Sequence, residues 1–419
     1  MTELGVGDLA RDLLQEHTRV FCERFGTTPR PRCFFAPGRV NLMGAHLDYN
    51  GGPVVPTAID RGTFLAIRPR SDRRLVLAST LSTASGSLMG GGGHDGGSLE
   101  FDLDGLPEER IGRWADYPLG VVRELLALAL KRDGGAAAKR LPGLEVLFGG
   151  NLPVGAGLSS SASICVGTAF AVGELWELGL ARTDCVEAAL AAERGFVGVQ
   201  CGIMDPFAVG LARPGHLLWL DCKDRTHELM PFDTDRISVA VADTGVRREL
   251  AEVSFNQRVE ECAAAYEALR PAWPQASCLR DVPLEVFEQE RAKLDPVLAR
   301  RAEHVLNEVR RTFEAREGLE RGDLNAFGER MTLSHTSLRE LYEVSVPELD
   351  VLVETARTTP GVLGSRLTGA GFGGCAVILL ERGSAGLLQA RLEQEFEAHF
   401  GRRPTVELFG GDPGPRELM

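Results

Sequence analysis

Residues 153–163 read PVGAGLSSSAS, a run of glycines and clustered hydroxyls directly before a helical pattern. Gly155 and Gly157 let the backbone approach a ligand closely and adopt angles that other residues avoid. The proline-free segment that follows, from Ala162 to about Glu177, predicts a helix. Its free N–H groups and positive dipole end would face any group that the glycines admit. The run therefore predicts a phosphate cradle, with an ordinary Gly/Ser turn before a buried helix as the alternative.

Length, composition and charge limit the classes of protein. With 419 residues the chain is longer than one core usually holds, so we expect two domains. An apolar fraction of 44% and a charged fraction of 25% are typical of a soluble globular protein. No apolar run approaches the ~20 residues that a membrane helix needs, and the acidic N-terminus does not resemble a signal peptide. We therefore expect a cytoplasmic protein with no membrane partner.

The charge and the cysteines narrow the partners further. A net charge of −13 argues against nucleic acid, which is bound by basic patches. The nine cysteines form no CxxC pairs and are expected to be reduced core thiols. No HExxH or other compact ligand cluster indicates a protein-held zinc site.

The pattern along the chain predicts an α+β protein with the active site in a cleft between two domains. Strand-like and helical segments alternate up to about residue 225, and residues 247–358 are mostly helical. We expect paired strands at 64–67 and 75–78, a strand at 144–148 before the cradle, and a final strand at 375–380. The low-complexity stretch 85–98 predicts a surface loop. The predicted domains are 1–225 and 226–419, and a second glycine-rich loop at 368–374 lies in the latter.

Three segments follow one another along the chain: PGRVNLMGAHLDYNGG at 37–52, the cradle, and TGAGFGG at 368–374. In this order they resemble the galactokinase branch of the GHMP small-molecule kinases. Further matches at 113–117, 192–193, 201–205 and 342–350 extend the resemblance over nearly the whole chain. It implies the two-domain GHMP kinase fold and a sugar 1-kinase that uses ATP and Mg²⁺ to phosphorylate an anomeric hydroxyl.

The resemblance also implies roles for single residues. Asp205 matches the catalytic aspartate that accepts the anomeric proton, and Arg39 matches the arginine whose fixed charge stabilises that carboxylate. Ser161 and Glu193 match the magnesium ligands, a sparse oxygen set of the kind that Mg²⁺ prefers. The residues alone instead indicate that Asp205, which precedes a proline, is a turn residue and that Glu193 is a helix-surface charge. The residues implied to bind the nucleotide are Trp114, Gly155, Gly157, Ser159, Ser160, Ser161, Ala162 and Ser163, with a core position as the alternative for Trp114.

The sugar is implied to contact His46 and Asp48, whose polar groups suit a galactose-like axial hydroxyl because an unmatched buried partner costs about 1–3 kcal/mol. The full set of residues implied to bind the sugar is Ala45, His46, Asp48, Gly202 and Phe255. Three of the positions implied to form or flank the sugar site differ from those of galactokinases. Ala45 replaces an acid that binds the 6-hydroxymethyl group, Leu47 replaces a threonine, and Phe255 replaces a tyrosine. Pro206 also stands where the family has glutamine.

Electrostatics at position 45 favours D-galacturonate as the substrate and galacturonate 1-phosphate as the product. A glutamate about 4 Å from a C6 carboxylate would cost roughly 4 kcal/mol at an effective dielectric near 20, and alanine removes that repulsion. Losing a neutral hydrogen bond to galactose costs only about 0.5–1.5 kcal/mol. The related plant galacturonate kinases also lack the acid, although no cation for the carboxylate is evident from the sequence. The alternatives are a galactokinase, an L-arabinokinase and a non-catalytic sugar sensor, each as a monomer or weak homo-oligomer.

Overall fold

A computed structural model of the chain describes residues 6–80, 98–131, 138–152, 157–247 and 251–418. The helices are α1 (Val6–Phe25), α2 (Asp116–Lys131), α3 (Ser160–Leu175), α4 (Arg182–Ala191), α5 (Met204–Leu211), α6 (Ala251–Leu269), α7 (Leu284–Glu290), α8 (Pro296–Glu320), α9 (Leu324–Glu340), α10 (Pro347–Arg357) and α11 (Ala385–Phe400). The strands are β1 (Arg32–Met43), β2 (Pro53–Pro69), β3 (Arg74–Ser79), β4 (Leu99–Asp102), β5 (Leu144–Gly150), β6 (His216–Asp221), β7 (His227–Pro231), β8 (Ile237–Asp243), β9 (Val362–Thr368), β10 (Cys375–Glu381), β11 (Thr405–Phe409) and β12 (Arg416–Leu418). The predicted α+β class is confirmed.

The first sheet is built on two long antiparallel strands, β1 and β2. Its order is β12-β1-β2-β5-β3-β4, and β6 and β7 extend it from the far end of β2. The expectation that 64–67 and 75–78 pair with each other is wrong, because β5 lies between β2 and β3 and runs parallel to β3. The predicted stretch 85–98 falls almost wholly outside the described residues.

Helix α3, which follows the cradle, packs tightly on this sheet. A Cβ on Gly167 would lie 2.9 Å from the Cβ of Ala36 on β1, so glycine allows the close approach. The hydroxyl of Ser163 is fully buried and lies 2.8 Å from both the Ala36 carbonyl and the Thr63 hydroxyl. The helix begins at Ser160, two residues before the predicted start.

The second sheet has the order β11-β8-β10-β9 and is antiparallel throughout. The mostly helical segment predicted at 247–358 is confirmed by α6 to α10. The strand predicted at 375–380 corresponds to β10, but it is not the last. Two short strands follow it, and β12 pairs with β1 of the first sheet.

One continuous core joins the two halves, since Leu47 and Val54 from the first sheet pack in the same cluster as Leu338 and Tyr342. The halves also meet where the two glycine-rich loops touch: a Cβ on Gly369 would lie 3.2 Å from the Cα of Gly157. The division of the chain at residue 225 stays a prediction.

Candidate active site

A cavity of about 430 Å³ lies where the two halves meet. Some of the residues that line it belong to the motifs identified in the sequence, and others were not predicted to lie in a site. The lining residues are Arg39, Asn41, Ala45, His46, Asp48, Gly157, Leu158, Ser159, Ser160, Ser161, Val199, Cys201, Gly202, Met204, Asp205, Phe255, Arg366, Gly369 and Ala370.

Asp205 and Arg39 form a two-pronged ion pair at the wall of the cavity. The Nε and Nη2 atoms of Arg39 each lie 2.7 Å from a carboxylate oxygen of Asp205, and Nη1 donates to the Gly157 carbonyl at 2.6 Å. Arg39 is buried on β1, and Asp205 is half-buried in the first turn of α5. Pro206 is accommodated there because the first turn of a helix tolerates proline.

Ser159 adds a third hydrogen bond to the same carboxylate. Its hydroxyl donates to Oδ2 of Asp205 at 2.5 Å. Ser159 precedes α3 with a φ of 61°, in the left-handed region, and its side chain makes no capping hydrogen bond to the helix. The resemblance implies that Ser159 binds the nucleotide; in the structure Ser159 lines the cavity, and its hydroxyl donates to Asp205.

Glu193 lies in a π-helical turn, Ala192–Val197, that continues α4. Such turns are rare and are frequently found at functional sites. Glu193 is buried, and its Oε2 atom has no hydrogen-bond partner among the described residues. Burial raises the pKa of Glu193 to about 7, against the opposing effect of a hydrogen bond from Ser161. The chain from Arg182 to Val197 is therefore an α-helix followed by this turn.

The carboxylate and hydroxyl of Glu193 and Ser161 fit a magnesium ion. An unpartnered buried carboxylate oxygen beside a hydroxyl suits a hard cation that keeps water and phosphate ligands. Within the described ranges, no group of three or more His, Cys, Asp or Glu side chains is placed to hold a metal ion.

The structure divides the predicted nucleotide-binding residues. Gly157, Ser159, Ser160 and Ser161 line the cavity, whereas Ala162 and Ser163 are buried against the first sheet. Trp114 packs edge-on against Phe148, with ring centroids 5.6 Å apart, and is not among the described residues that line the cavity. Gly155 lies outside the described residues.

Of the predicted sugar-binding residues, Ala45, His46, Asp48, Gly202 and Phe255 all line the cavity. Burial and then repulsion from Asp205 raise the pKa of Asp48 to about 6. Asp48 packs so closely on Gly202 that a Cβ there would lie 1.7 Å from its Oδ2 atom. Leu47, in contrast, is fully buried in the hydrophobic core. This packing explains why an apolar residue stands where the family has threonine.

A hydrogen-bonded network orients His46. Its Nδ1 lies 2.9 Å from the Tyr49 hydroxyl, which lies 2.8 Å from the Tyr342 hydroxyl. Burial lowers the pKa of His46 to about 3, so the ring is neutral at pH 7. Its Nε2 atom has no partner among the described residues. Phe255 packs 5.9 Å from the His46 ring and 5.5 Å from the Tyr49 ring, so it supplies an apolar wall without a hydroxyl.

Two polar residues in the cavity wall were not predicted from the sequence. Asn41 stands two positions after Arg39 on β1, and its Oδ1 is buried without a described partner. Arg366 stands in the middle of β9, is 1% exposed, and has an unpartnered Nε. The period-2 alternation of a strand places Asn41 on the same face as Arg39, a signal that could have identified it. Arg366 carried the weaker signal of a charge within a strand leading into a glycine loop.

Comparison with known proteins agrees with this geometry. A model of the "Galactokinase galactose-binding signature" matches residues 19–69. Models of the GHMP kinase N-terminal and C-terminal domains match residues 117–213 and 315–398. Among solved structures, the mevalonate kinase of Methanococcus jannaschii superposes with a TM-score of 0.62 at 18% identity, covering 92% of this chain and 99% of its own. That likeness shows the GHMP kinase fold.

Relatives of higher sequence identity show which branch of the GHMP kinases the chain belongs to. The galactokinase of Roseiflexus sp. is 41% identical over 386 residues, 92% of either chain, and the human galactokinase is 37% identical over 97% of either chain. The crystal structure of Lactococcus lactis galactokinase with galactose has a TM-score of 0.86 at 33% identity, covering 97% of this chain and 100% of its own. The chain belongs to the galactokinase branch of the GHMP kinases.

Membership of this branch establishes the general type of reaction that the chain catalyses. The chain is a phosphotransferase, a sugar 1-kinase that uses ATP and Mg²⁺ and acts on a small-molecule sugar. The alternative of a non-catalytic sugar sensor is therefore set aside. Within the described ranges, no helix is long and apolar enough to cross a membrane.

Proposed function

We propose that the chain is a galactokinase, which transfers the γ-phosphoryl group of ATP to the anomeric hydroxyl of D-galactose. The observation that carries this proposal is the position of Asp205, clamped by Arg39 and Ser159 in the wall of a cavity that His46 and Asp48 also line. The relatives at 37–41% identity are named galactokinases, which supports galactose over the other candidate sugars.

In this proposal Asp205 accepts the proton of the anomeric hydroxyl as its oxygen attacks the γ-phosphorus. The new O–P bond forms while the bond to the bridging β–γ oxygen breaks, and ADP leaves. Phosphoryl transfer depends mainly on positioning and charge stabilisation, so a carboxylate held by two residues suits the step. Arg39 supplies a fixed positive charge beside the oxygen that loses its proton.

The nucleotide phosphates are proposed to lie against the N-terminus of α3, near Ser160 and Ser161. Free N–H groups at a helix N-terminus and the helix dipole favour anions. Mg²⁺, held by Ser161 and Glu193, would neutralise charge on the phosphate oxygens. Gly157 and Gly369, in contact across the cleft, would leave the backbone free to approach the phosphates.

Sugar recognition is proposed to use the cavity's buried polar groups. His46 Nε2 and Asn41 Oδ1 lack partners among the described residues, and Asp48 offers a carboxylate beside them. Hydroxyl groups of a hexose would satisfy these atoms. An epimer that left one unmatched would lose about 1–3 kcal/mol of binding.

Galacturonate, favoured by the sequence argument at Ala45, is the second candidate. Ala45 does line the cavity, and it places no acid beside the sugar. None of the relatives' names given above supports galacturonate, so galactose has the stronger support. L-Arabinose, which lacks C6, is the remaining alternative at this position.

The test is a substrate panel of galactose, glucose and L-arabinose, with ATP, Mg²⁺ and coupled detection of ADP. We expect galactose to exceed glucose and arabinose in kcat/KM by at least tenfold. The product should lose its reducing end and carry phosphorus coupled to the anomeric proton in NMR. Absence of turnover on every sugar, or phosphate at another carbon, would contradict the proposal.

We also propose a cytoplasmic enzyme that acts as a monomer or weak homo-oligomer and has no nucleic-acid partner. The composition and net charge support this proposal. The two-domain division at residues 1–225 and 226–419 is proposed from the chain length and from the change to a mostly helical pattern after residue 247.

A further inference from the structure

A buried cluster of charges lies behind Ala45. It contains one carboxylate, Glu308, and two guanidinium groups, Arg311 and Arg366. Arg311 Nε donates to Glu308 Oε2 at 2.8 Å, and Arg366 Nη1 lies 3.9 Å from Glu308 Oε1. Glu308 is fully buried, and Arg366 is 1% exposed. One negative charge is therefore shared by two positive charges.

The neighbouring titratable groups do not restore neutrality. Burial lowers the pKa of His46 to about 3 and of His304 to about 4, so both rings are uncharged at pH 7. Although burial alone would raise it, the positive groups around Glu308 lower its pKa to about 2. Burial lowers the pKa of Arg366 only to about 10, which leaves it charged. The cluster carries a net charge of +1.

The two guanidinium groups of the cluster do not have hydrogen-bond acceptors for all of their N–H groups. Arg366 donates to the Asn41 carbonyl at 2.9 Å and to the Ser334 hydroxyl at 3.3 Å, but its Nε has no partner among the described residues. Arg311 Nη2 also has no hydrogen-bond partner among the described residues. A buried cation without a full set of partners is destabilising unless another group completes it.

Ala45 connects this cluster to the cavity. Its backbone N–H donates to Glu308 Oε1 at 3.2 Å, the same oxygen that lies near Arg366. Ala45, Asn41 and Arg366 are all part of the cavity wall. The methyl side chain at position 45 supplies no charge, and Arg366 brings one of the cluster's two positive charges to this corner of the cavity wall.

We propose that the corner formed by Ala45, Asn41 and Arg366 binds a carboxylate at C6 of the sugar, so that galacturonate is a substrate alongside galactose. This inference rests on the proposed sugar 1-kinase function of the same cavity. The chemical step is unchanged: the anomeric oxygen bonds to the γ-phosphorus, ADP leaves, and the anomeric proton passes to Asp205. The carboxylate takes no part in bond making.

The first experiment compares kcat/KM of the full chain for galactose, galacturonate and galacturonamide, whose C6 group is a neutral amide of the same shape. We expect galacturonate to exceed galacturonamide at least tenfold, since only the carboxylate meets the positive field. Calorimetric titration of both sugars without ATP should show the same order of affinity.

The second experiment uses the matched variants Ala45→Glu and Ala45→Gln. The glutamate should lower the galacturonate-to-galactose ratio of kcat/KM at least 100-fold, and the glutamine less than tenfold, because the two side chains differ in charge but hardly in size. Equal shifts in both variants, or galacturonate no better than galacturonamide, would overturn the inference and leave the galactokinase proposal standing. Turnover of no sugar at all would instead refute the proposed function, and calorimetry would still decide the inference.

Discussion

Arg39 and Asp205 stand 166 positions apart in the chain, yet two hydrogen bonds of 2.7 Å join their guanidinium and carboxylate groups. Parallel N–H···O bonds of this kind fix orientation as well as charge. The pair exists because β1 and the first turn of α5 meet at the cavity wall. Asp205 is therefore positioned before any substrate is bound.

Asp205→Asn should lower kcat at least 1000-fold. An amide cannot accept the anomeric proton, and it exchanges a charge-assisted pair with Arg39 for a weaker contact. Affinity for a non-hydrolysable ATP analogue should change less than threefold, measured by calorimetry. The exposed Asp235→Asn is the matched control. A variant that keeps more than a tenth of normal turnover would remove Asp205 from the proposed role.

Ser159→Ala and Ser159→Gly separate the hydroxyl from the backbone conformation at this position. Both remove the 2.5 Å hydrogen bond to Asp205, so both should lower kcat about 10- to 100-fold, since a hydrogen bond to a charged group contributes about 1.5–3 kcal/mol. With φ at 61°, glycine should be more stable than alanine by about 1 kcal/mol in thermal unfolding. Full activity in the glycine variant would contradict a role for the hydroxyl, and a loss of activity confined to the alanine variant would show that only the backbone conformation matters.

Glu193→Gln should stabilise the metal-free protein while abolishing magnesium-dependent turnover. Burial raises the pKa of Glu193 to about 7 from an ordinary 4.5, so the folded state binds this proton more tightly than the unfolded state. The stability gained from protonation is complete below about pH 4.5 and is lost as the pH rises through 7. At pH 8 without Mg²⁺, the variant should therefore unfold at a higher temperature, and its free energy of unfolding should exceed that of the native chain by roughly 3 kcal/mol.

The same pKa predicts a pH dependence of magnesium affinity. Below pH 7 a proton competes for the carboxylate, so the apparent Kd for Mg²⁺ should rise about tenfold per pH unit between pH 6.5 and 5.5. Mg²⁺ titrations followed by thermal shift in the presence of ATP measure this, with Glu193→Gln as the reference that keeps only the pH dependence of the ATP phosphates. A profile in the native chain no steeper than that of the variant would place the metal elsewhere.

The fold class and the central pair could be predicted from the sequence because local motifs carry them. The glycine-serine run, the segment at 37–52 and Asp205 each stand out within a short window, and all three contribute to the cavity wall. The position of β5 between β2 and β3 could not be read this way. Strand order depends on contacts far apart in the chain, which periodicity does not specify.

The charge cluster behind Ala45 escaped prediction for a similar reason. Glu308 and Arg311 lie on α8, where charged residues usually face solvent, and Arg366 lies on β9. These residues are buried because α8 and β9 pack near the segment at 37–52. The sequence of any one of these segments does not show that packing. Ser159 is a further case, since its left-handed backbone directs the hydroxyl away from its own helix.

Gly202→Ala should impair sugar binding more than ATP binding. A Cβ at position 202 would lie 1.7 Å from Asp48 Oδ2, so the carboxylate must move away from the place where it would meet a sugar hydroxyl. We expect KM for galactose to rise at least tenfold with KM for ATP within threefold, both from initial rates. Gly386→Ala in α11 is the matched control, because nothing lies within 4 Å of its Cβ and KM should not change. If both variants leave KM for galactose unaltered, Asp48 does not hold the sugar, and the contact with Gly202 is only a packing feature.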